Sequence, residues 1–425
     1  MSLTTSEPEE SRIMDEHSAV ADLTESEPEY SGKLGSAYHG DSRKLLKELP
    51  DNSIDLIVTS PPFALQNKKA YGNEDQEGYN DWFLEFVPEV RRVLQPHGSF
   101  VVEIGGAFKK GYPERSTYQF DLLSRLTDPD DGGMHLAQDF YWYNPAKLPN
   151  PIEWVNVRKI RVTDAVTHIW WLTPEINKDS AVEEGEHPHP EASNQRVLQE
   201  YSDSQKQLLE TGEFNDGERD SGWSIDSEAF ANENEGSIPD NLLEGFQSDD
   251  VLKSLDEFSV KEFVELMTDR DVEDVSAGEL MSMLGMGGRT ADNLIEASNT
   301  ASNTHYLRMC RMVNDEMEDE GVEPHPARFP RQIPEFFIDF LTPNPPYDDW
   351  DKGVLDRPVV LDIFAGSNLT GKIAEAKERY WMSFEREQNY VETSEFRFRT
   401  EEQIKQMMNQ DQSSLGEFPT VGDSN

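Results

Sequence analysis

Asp55-Leu56-Ile57-Val58-Thr59-Ser60-Pro61-Pro62-Phe63 is the stretch whose reading decides the fold. The apolar, largely β-branched run from Ile54 to Val58 reads as a buried parallel strand. Two adjacent prolines then remove two backbone donors and fix φ, so the strand stops and the next carbonyls are left to accept. Ser60 adds a hydroxyl acceptor and Phe63 a flat apolar face. Together they suit a planar group bearing an exocyclic amine, with acceptors for its hydrogens and a ring to stack on. The plainer alternative is an ordinary strand-to-loop turn. In an open α/β sheet the carboxyl ends of strands are where ligands bind, which places this stretch at a site.

Moving outward, Ala37 to Ser42 reads as a short strand and turn, and Lys44 to Leu49 as a short helix. Beyond the prolines, Trp82, Phe83, Phe86, Val87, Val90, Val93 and Leu94 recur at helical spacing, and Ser99 to Ile104 is a second apolar strand closing in Gly105-Gly106. Strand, helix, strand in that order is a β-α-β unit of a parallel sheet. The aromatic stripe on the helix is read as core. Val155 to Val162, which is basic, and Ala165 to Leu172, with Trp170-Trp171, read as two strands of an antiparallel edge. Trp170 and Trp171 are assigned to sheet packing.

The chain holds 84 Asp and Glu against 38 Lys and Arg, a formal charge of −46 over 425 residues. Such acidity opposes contact with polyanions. Because the acids are spread along the whole chain, the composition points to work in multimolar salt, where charges are screened beyond about 3 Å. The alternative is a protein that avoids or mimics polyanions. One cysteine, Cys310, excludes an intrachain disulfide framework and a multi-Cys zinc site, and no metal is expected. With no apolar run of spanning length and an acidic N-terminus, a cytoplasmic protein with no membrane contact is expected.

Composition divides the chain into an acidic disordered arm over 1–33, a first sheet-forming half over 34–175, an acidic and helical insertion over 176–322, a second half over 323–400 and a polar, fraying tail over 401–425. The glycine-rich Gly285–Thr290 lacks a preceding strand and the Gly-Lys-Ser/Thr ending, so it is no phosphate loop.

In the second half, the strand Val359–Phe364 runs into Ala365-Gly366-Ser367-Asn368-Leu369-Thr370-Gly371, a helix follows, and the next strand ends in Glu385. That is the nucleotide-binding unit of a doubly wound sheet. Gly366 lets backbone approach a ligand, and Glu385, about 20 residues on, can accept from ribose hydroxyls. The turn is not Gly-x-Gly-x-x-Gly, so a nucleoside without phosphates fits better than a dinucleotide. The cationic sulfonium S-adenosyl-L-methionine (AdoMet) is such a ligand, with Asp362 near its charged end. The alternative is a packing turn with no ligand.

The two constellations together carry a resemblance. Asp-Ile-Phe-Ala-Gly-Ser-Asn-Leu-Thr-Gly (362–371), Thr-Ser-Pro-Pro-Phe (59–63) and Phe-Pro-x-x-Ile-Pro-Glu-Phe-Phe-Ile (329–338) resemble the motifs of β-class DNA amino-methyltransferases, the N4-cytosine enzymes of restriction-modification systems. Trp142–Pro149, Arg196-Val197-Leu198, Ile238–Leu243 and Ser298–Asn303 extend it over roughly 35–395, with an extra acidic piece at about 246–293 as a departure. The resemblance implies a circularly permuted, Rossmann-like AdoMet-dependent fold with an inserted target-recognition region, placed at 176–322. It implies that Ser60 and the Pro61 carbonyl accept from the cytosine amine, with Pro62 completing the motif and Phe63 stacking on the flipped base. Asp41 is implied at the adenine, Glu385 at the ribose, Asp362, Phe364 and Gly366, with Ser367 and Asn368, along the cofactor, and Phe329 and Pro330 on its methionine side.

Double-stranded DNA is the implied partner, with a cognate endonuclease alongside and a monomeric or weakly dimeric state. A short palindrome is the implied target, CTAG by likeness to haloarchaeal methylases. Lys68, Lys69, Lys147, Arg158, Arg161, Asn299, Asn303 and Arg308 are the candidates for DNA contact. Two rivals stand beside this reading. One is N6-adenine methylation, for which enzymes of this class usually carry Asp where Ser60 stands. The other is a non-catalytic acidic DNA mimic.

Overall fold

The central strand of the computed structural model is β3 (Ile54–Thr59), and all six of its residues are buried. Burial at odd and even positions means both faces are covered, which explains a continuous apolar run rather than an alternating one. The structure describes residues 18–64, 77–109, 111–143, 152–175, 189, 191–201, 203–211, 236–244, 304–316, 322–326, 330–347 and 354–414. The other strands are β1 (Tyr30–Ser31), β2 (Gly35–His39), β4 (Leu94–Ile104), β5 (His135–Tyr143), β6 (Val166–Thr173), β7 (Leu242–Glu244), β8 (Val359–Asp362) and β9 (Tyr380–Glu385). They form one nine-stranded sheet in the order β1-β2-β9-β8-β3-β4-β6-β5-β7.

From β2 through β9, β8 and β3 to β4 the strands are parallel. β6 lies antiparallel between β4 and β5. The chain winds outward in opposite directions from β8 and β3, which pair through Leu56–Val360 and Ile57–Leu361. Their carboxyl ends therefore bound a crevice at a topological switch point. The doubly wound sheet expected from the sequence is the one observed.

Trp170 and Trp171 lie in the core as expected, the latter donating its indole N–H to Ser99 Oγ at 2.9 Å. Helices Ser42–Glu48, Tyr79–Leu84, Val87–Val93 and Leu369–Ala376 connect the parallel strands. Helix Gln332–Leu341 packs Ile333, Phe337, Ile338 and Leu341 into the same core.

Several expectations are corrected. Val155–Val162 is not a strand: Glu153–Val157 makes one π-helical turn, and the antiparallel partner of β6 is β5. With β4 on the other side, β6 has no edge left to pair. Residues 18–33 of the expected disordered arm are ordered, because Val20, Leu23 and Tyr30 are buried in the main core. The tail does not fray at 401, since Glu401–Ser414 is helical and Ile404 closes a second core with Tyr306, Met309, Cys310, Val313 and Phe396. Helix Thr304–Glu316, from the segment assigned to the insertion, thus packs with the C-terminal helices. Residues 245–303, with the acidic piece at 246–293 and Gly285–Thr290, lie outside the described residues. Among the described residues, no helix is long and apolar enough to cross a membrane.

Candidate active site

Two turns, one after β3 and one after β8, meet above the switch point and are pinned together from below. Thr59 donates to Asp362 Oδ1 at 2.6 Å, across 303 residues of sequence. Thr370 donates to Asp362 Oδ2 at 2.7 Å, and the Phe364 N–H to Oδ1 at 3.1 Å. Burial nonetheless pushes the Asp362 carboxyl above its ordinary pKa, with these donors opposing the rise. The pin sets the distance between the turns.

Above it is a cavity of ≈ 290 Å³ lined by Ser60, Pro61, Pro62 and Phe63 from the first turn and by Asp362 through Ser367 from the second. Asp41, Pro330 and Glu385 also line it. Phe63 is seated on Gly105: a Cβ there would stand 2.3 Å from the ring. The Tyr118 hydroxyl donates to the Gly105 carbonyl and steadies that seat.

On the other side, Gly366 has φ +52°, a left-handed conformation that favours glycine. Its N–H donates to Glu385 Oε2 at 2.7 Å, while Glu385 Oε1 accepts from the Glu387 N–H at 2.9 Å. Burial pushes the Glu385 carboxyl up, and these amides oppose the rise. Asp41 caps helix Ser42–Glu48 through the Arg43 N–H, and the Arg43 guanidinium holds its carboxyl below the usual range.

Phe364 joins Trp82 and Phe86, at ring separations of 5.6 and 5.0 Å, in an aromatic wall. His325 stands over the Gly366 turn, where a glycine Cβ would come within 3.0 Å of its Cε1, and is held edge-on by Tyr390 at 4.5 Å.

One expected contact, Asn368, does not reach the cavity, and another, Ser367, reaches it already engaged by a neighbour. Asn368 does not line the cavity: its side chain accepts from the Gly371 N–H at 3.1 Å and donates to the Tyr30 hydroxyl at 2.8 Å, as a buried helix cap. Ser367 lines the cavity, but Arg397 takes its hydroxyl at 2.7 Å and its carbonyl at 2.5 Å. Phe329 lies outside the described residues, as do Lys68, Lys69, Lys147, Asn299 and Asn303.

Arg158 pairs with Glu153 at 2.7 Å and lies over Trp154. Arg161 donates to the Pro113 carbonyl at 2.6 Å and lies over Phe108. Arg308 sits 3.5 Å from Glu401.

Trp82, Phe86, Glu103, Trp142, Thr167 and His325 line the cavity without having been singled out from the sequence. For Trp82 and Phe86 the signal was the aromatic stripe, whose i, i+4 members serve core and cavity at once. For Glu103 it was an acid in the otherwise apolar run 99–104.

A doubly wound sheet whose switch-point cavity joins a Ser-Pro-Pro-Phe turn to a glycine turn read by an acid defines a class of enzyme. The family model described as DNA methylase matches residues 54–396, and the chain belongs to that family. Its relatives narrow the class. The type II methyltransferase M.PvuII of Proteus hauseri is 40% identical over 373 residues, which cover 87% of this chain and 85% of that protein. The solved structure of the PvuII DNA methyltransferase (cytosine-N4-specific) matches with a TM-score of 0.56 at 34% identity, covering 91% of this chain and 95% of that one. The type II methyltransferase M.BamHI of Bacillus amyloliquefaciens is 34% identical over 106 residues, 24% of this chain and 23% of its own.

Proposed function

We propose that this chain transfers a methyl group from AdoMet to the N4 amine of cytosine within a short specific sequence of duplex DNA. The observation that carries the reading is the single cavity shared by Ser60–Phe63 and Phe364–Gly366.

The residues present fit AdoMet. The left-handed glycine turn admits a ligand close to backbone, the aromatic wall offers a face to a purine, and Asp362 and Glu385 suit a cation. When bound, AdoMet supplies an activated methyl on a cationic sulfur. Glu385 would accept from the ribose hydroxyls, Asp41 would serve the adenine, Phe364 and Gly366 the adenosyl part, and Pro330 the methionine side, a role that extends to Phe329 by the motif alone. Ser367 contributes backbone to that wall, and the Asp362 carboxylate braces it.

Toward the base, Ser60 Oγ and the Pro61 carbonyl accept the two amine hydrogens. They thereby draw the nitrogen lone pair out of conjugation and aim it at the methyl. Pro62 holds the turn extended, and Phe63 stacks on the extruded pyrimidine. With AdoMet bound, Ser60 and Pro61 would hold the amine for a direct displacement, in which an N–C bond would form as an S–C bond breaks and the surplus amine proton would leave to water. Rate comes from positioning and local electrostatics, with no covalent enzyme intermediate. Lys68, Lys69, Lys147, Arg158, Arg161 and Arg308 serve phosphates, and Asn299 and Asn303 polar groups of the duplex. The 176–322 segment supplies target recognition between halves at 34–175 and 323–400. A partner endonuclease and a monomeric or weakly dimeric state belong to the same proposal.

The test is nucleoside analysis of DNA incubated with the protein and AdoMet. N4-methylcytosine is expected, and N6-methyladenine in its place overturns the assignment. Ser60→Ala is expected to lower kcat by about 10²-fold or more while leaving AdoMet affinity near its starting value. Equal losses in both would remove Ser60 from the reaction.

A further inference from the structure

The segment 152–162 carries a feature that the chemistry above does not use. Ile152, Val157, Ile160 and Val162 are 59, 63, 60 and 85% exposed, and Val162 is the most exposed large apolar side chain among the described residues. Four large apolar side chains left bare within one short segment point to a partner surface. Between Val155 and Val162, in a chain with 84 acids and 38 bases, there are three bases and no acid. The apolar residues are thus interleaved with positive charge.

The turn is also held in place. Its backbone closes on the Trp154 carbonyl, which accepts from the Ile160 N–H at 2.9 Å, and Lys159 takes a left-handed φ of +56°. Arg161 ties it to the Pro113 carbonyl, and Asp164 receives Arg115 at 3.1 Å through both carboxylate oxygens. Arg115 in turn lies against Gly106, where a Cβ would meet its Nη2 at 2.4 Å. The preceding residue, Gly105, is the seat of Phe63. The turn is therefore coupled, contact by contact, to the base side of the cavity. Val162 is five residues from Thr167, a wall residue, so at most about 18 Å of extended chain separates them.

We propose that this turn is a wedge for the target duplex. The bare aliphatic side chains of Val157, Ile160 and Val162 enter the base stack where the target cytosine leaves it, while Arg158 and Lys159 rest on the flanking phosphates. Apolar side chains inserted between base steps are a known way to unstack a duplex, and flanking bases supply the sequence-independent hold. The inference rests on the methyltransferase reading and adds the device that extrudes the base.

The experiment compares the full-length protein with Val157→Ser/Val162→Ser and with a control at another exposed valine, Val354→Ser. Both variants alter solvent-facing positions, and thermal melts check that the fold persists. On matched duplex the double variant is expected to lose about tenfold in kcat/KM for DNA, with AdoMet affinity unchanged. On a duplex whose target cytosine is mispaired the loss is expected to vanish, because extrusion is then cheap. The control is expected to match the wild type on both. Equal rates on matched duplex, or an equal loss on both duplexes, overturns the wedge. A change in sedimentation from dimer to monomer also overturns it and assigns the patch to a second copy of the chain. Absence of N4-methylcytosine with the wild-type protein is a separate outcome: it overturns the underlying reading, and the wedge falls with it.

Discussion

Glu385 and Gly105 show how single positions set the site. Glu385 uses both carboxylate oxygens on backbone amides of two different turns, so one side chain shapes the glycine turn and faces the cavity. Its pKa is raised above the ordinary 4.5 by burial. The folded protein therefore holds this proton at a pH where the unfolded chain has lost it, and the group's contribution to stability falls as pH rises through the window above 4.5. Cofactor binding has the opposite sign, since the ionised form accepts from ribose hydroxyls. AdoMet affinity is expected to rise with pH over the same window, and Glu385→Gln to bind weakly and without that dependence, as calorimetry at a series of pH values checks. Gly105 acts by having no side chain. Gly105→Ala is expected to push Phe63 off its seat and lower kcat by about 10²-fold with AdoMet affinity retained, measured by turnover beside a binding titration.

At the scale of elements, the helices after β3 divide one sequence pattern between two tasks. Phe83, Val87, Val90 and Val93 are buried in the core, whereas Trp82 and Phe86 turn toward Phe364 and the cavity. Helix Glu401–Ser414 is the clearest departure from its polar composition. Ile404, fully buried against Tyr306, Met309, Cys310, Val313 and Phe396, gives it a place to dock, with Met408 packed alongside. Ile404→Ala is expected to cost about 2–5 kcal/mol, the range for a large-to-small change in a packed core, as a lowered denaturant midpoint shows. Activity at temperatures where the fold persists is expected to be kept, since none of the residues of this second core lines the cavity. At the turn 152–162, valines and an isoleucine among bases suggest a strand, but strands need a free edge and both edges of β6 are taken.

For the whole molecule, a formal charge of −46 sits beside an activity on a polyanion. We expect stability and DNA affinity to increase on going from dilute buffer to molar KCl, where the Debye length is about 3 Å and repulsion is felt only at contact. Melting temperatures and filter binding across a KCl series test this, and a monotonic loss of DNA affinity from low salt upward would sink it. Much of the site was legible along the chain because its chemistry is local. Ser60 to Phe63 and Phe364 to Gly366 are each a strand end and its turn, and a strand end in a parallel sheet has only one place to be. Asn368 was misread because a small polar residue at the head of a helix serves equally well as a ligand contact or a cap. Only its contacts with Gly371 and Tyr30 separate the two. Thr167 and His325 carry no local signature; they reach the cavity because β6 and the segment before helix Gln332–Leu341 are packed around it. By itself the sequence determined the strand-turn chemistry, since periodicity, prolines and glycine act over a few residues. Tertiary structure alone decided which turns face one another, because a hydrogen bond such as Thr59 to Asp362 joins residues 303 apart and exists only once the sheet has closed.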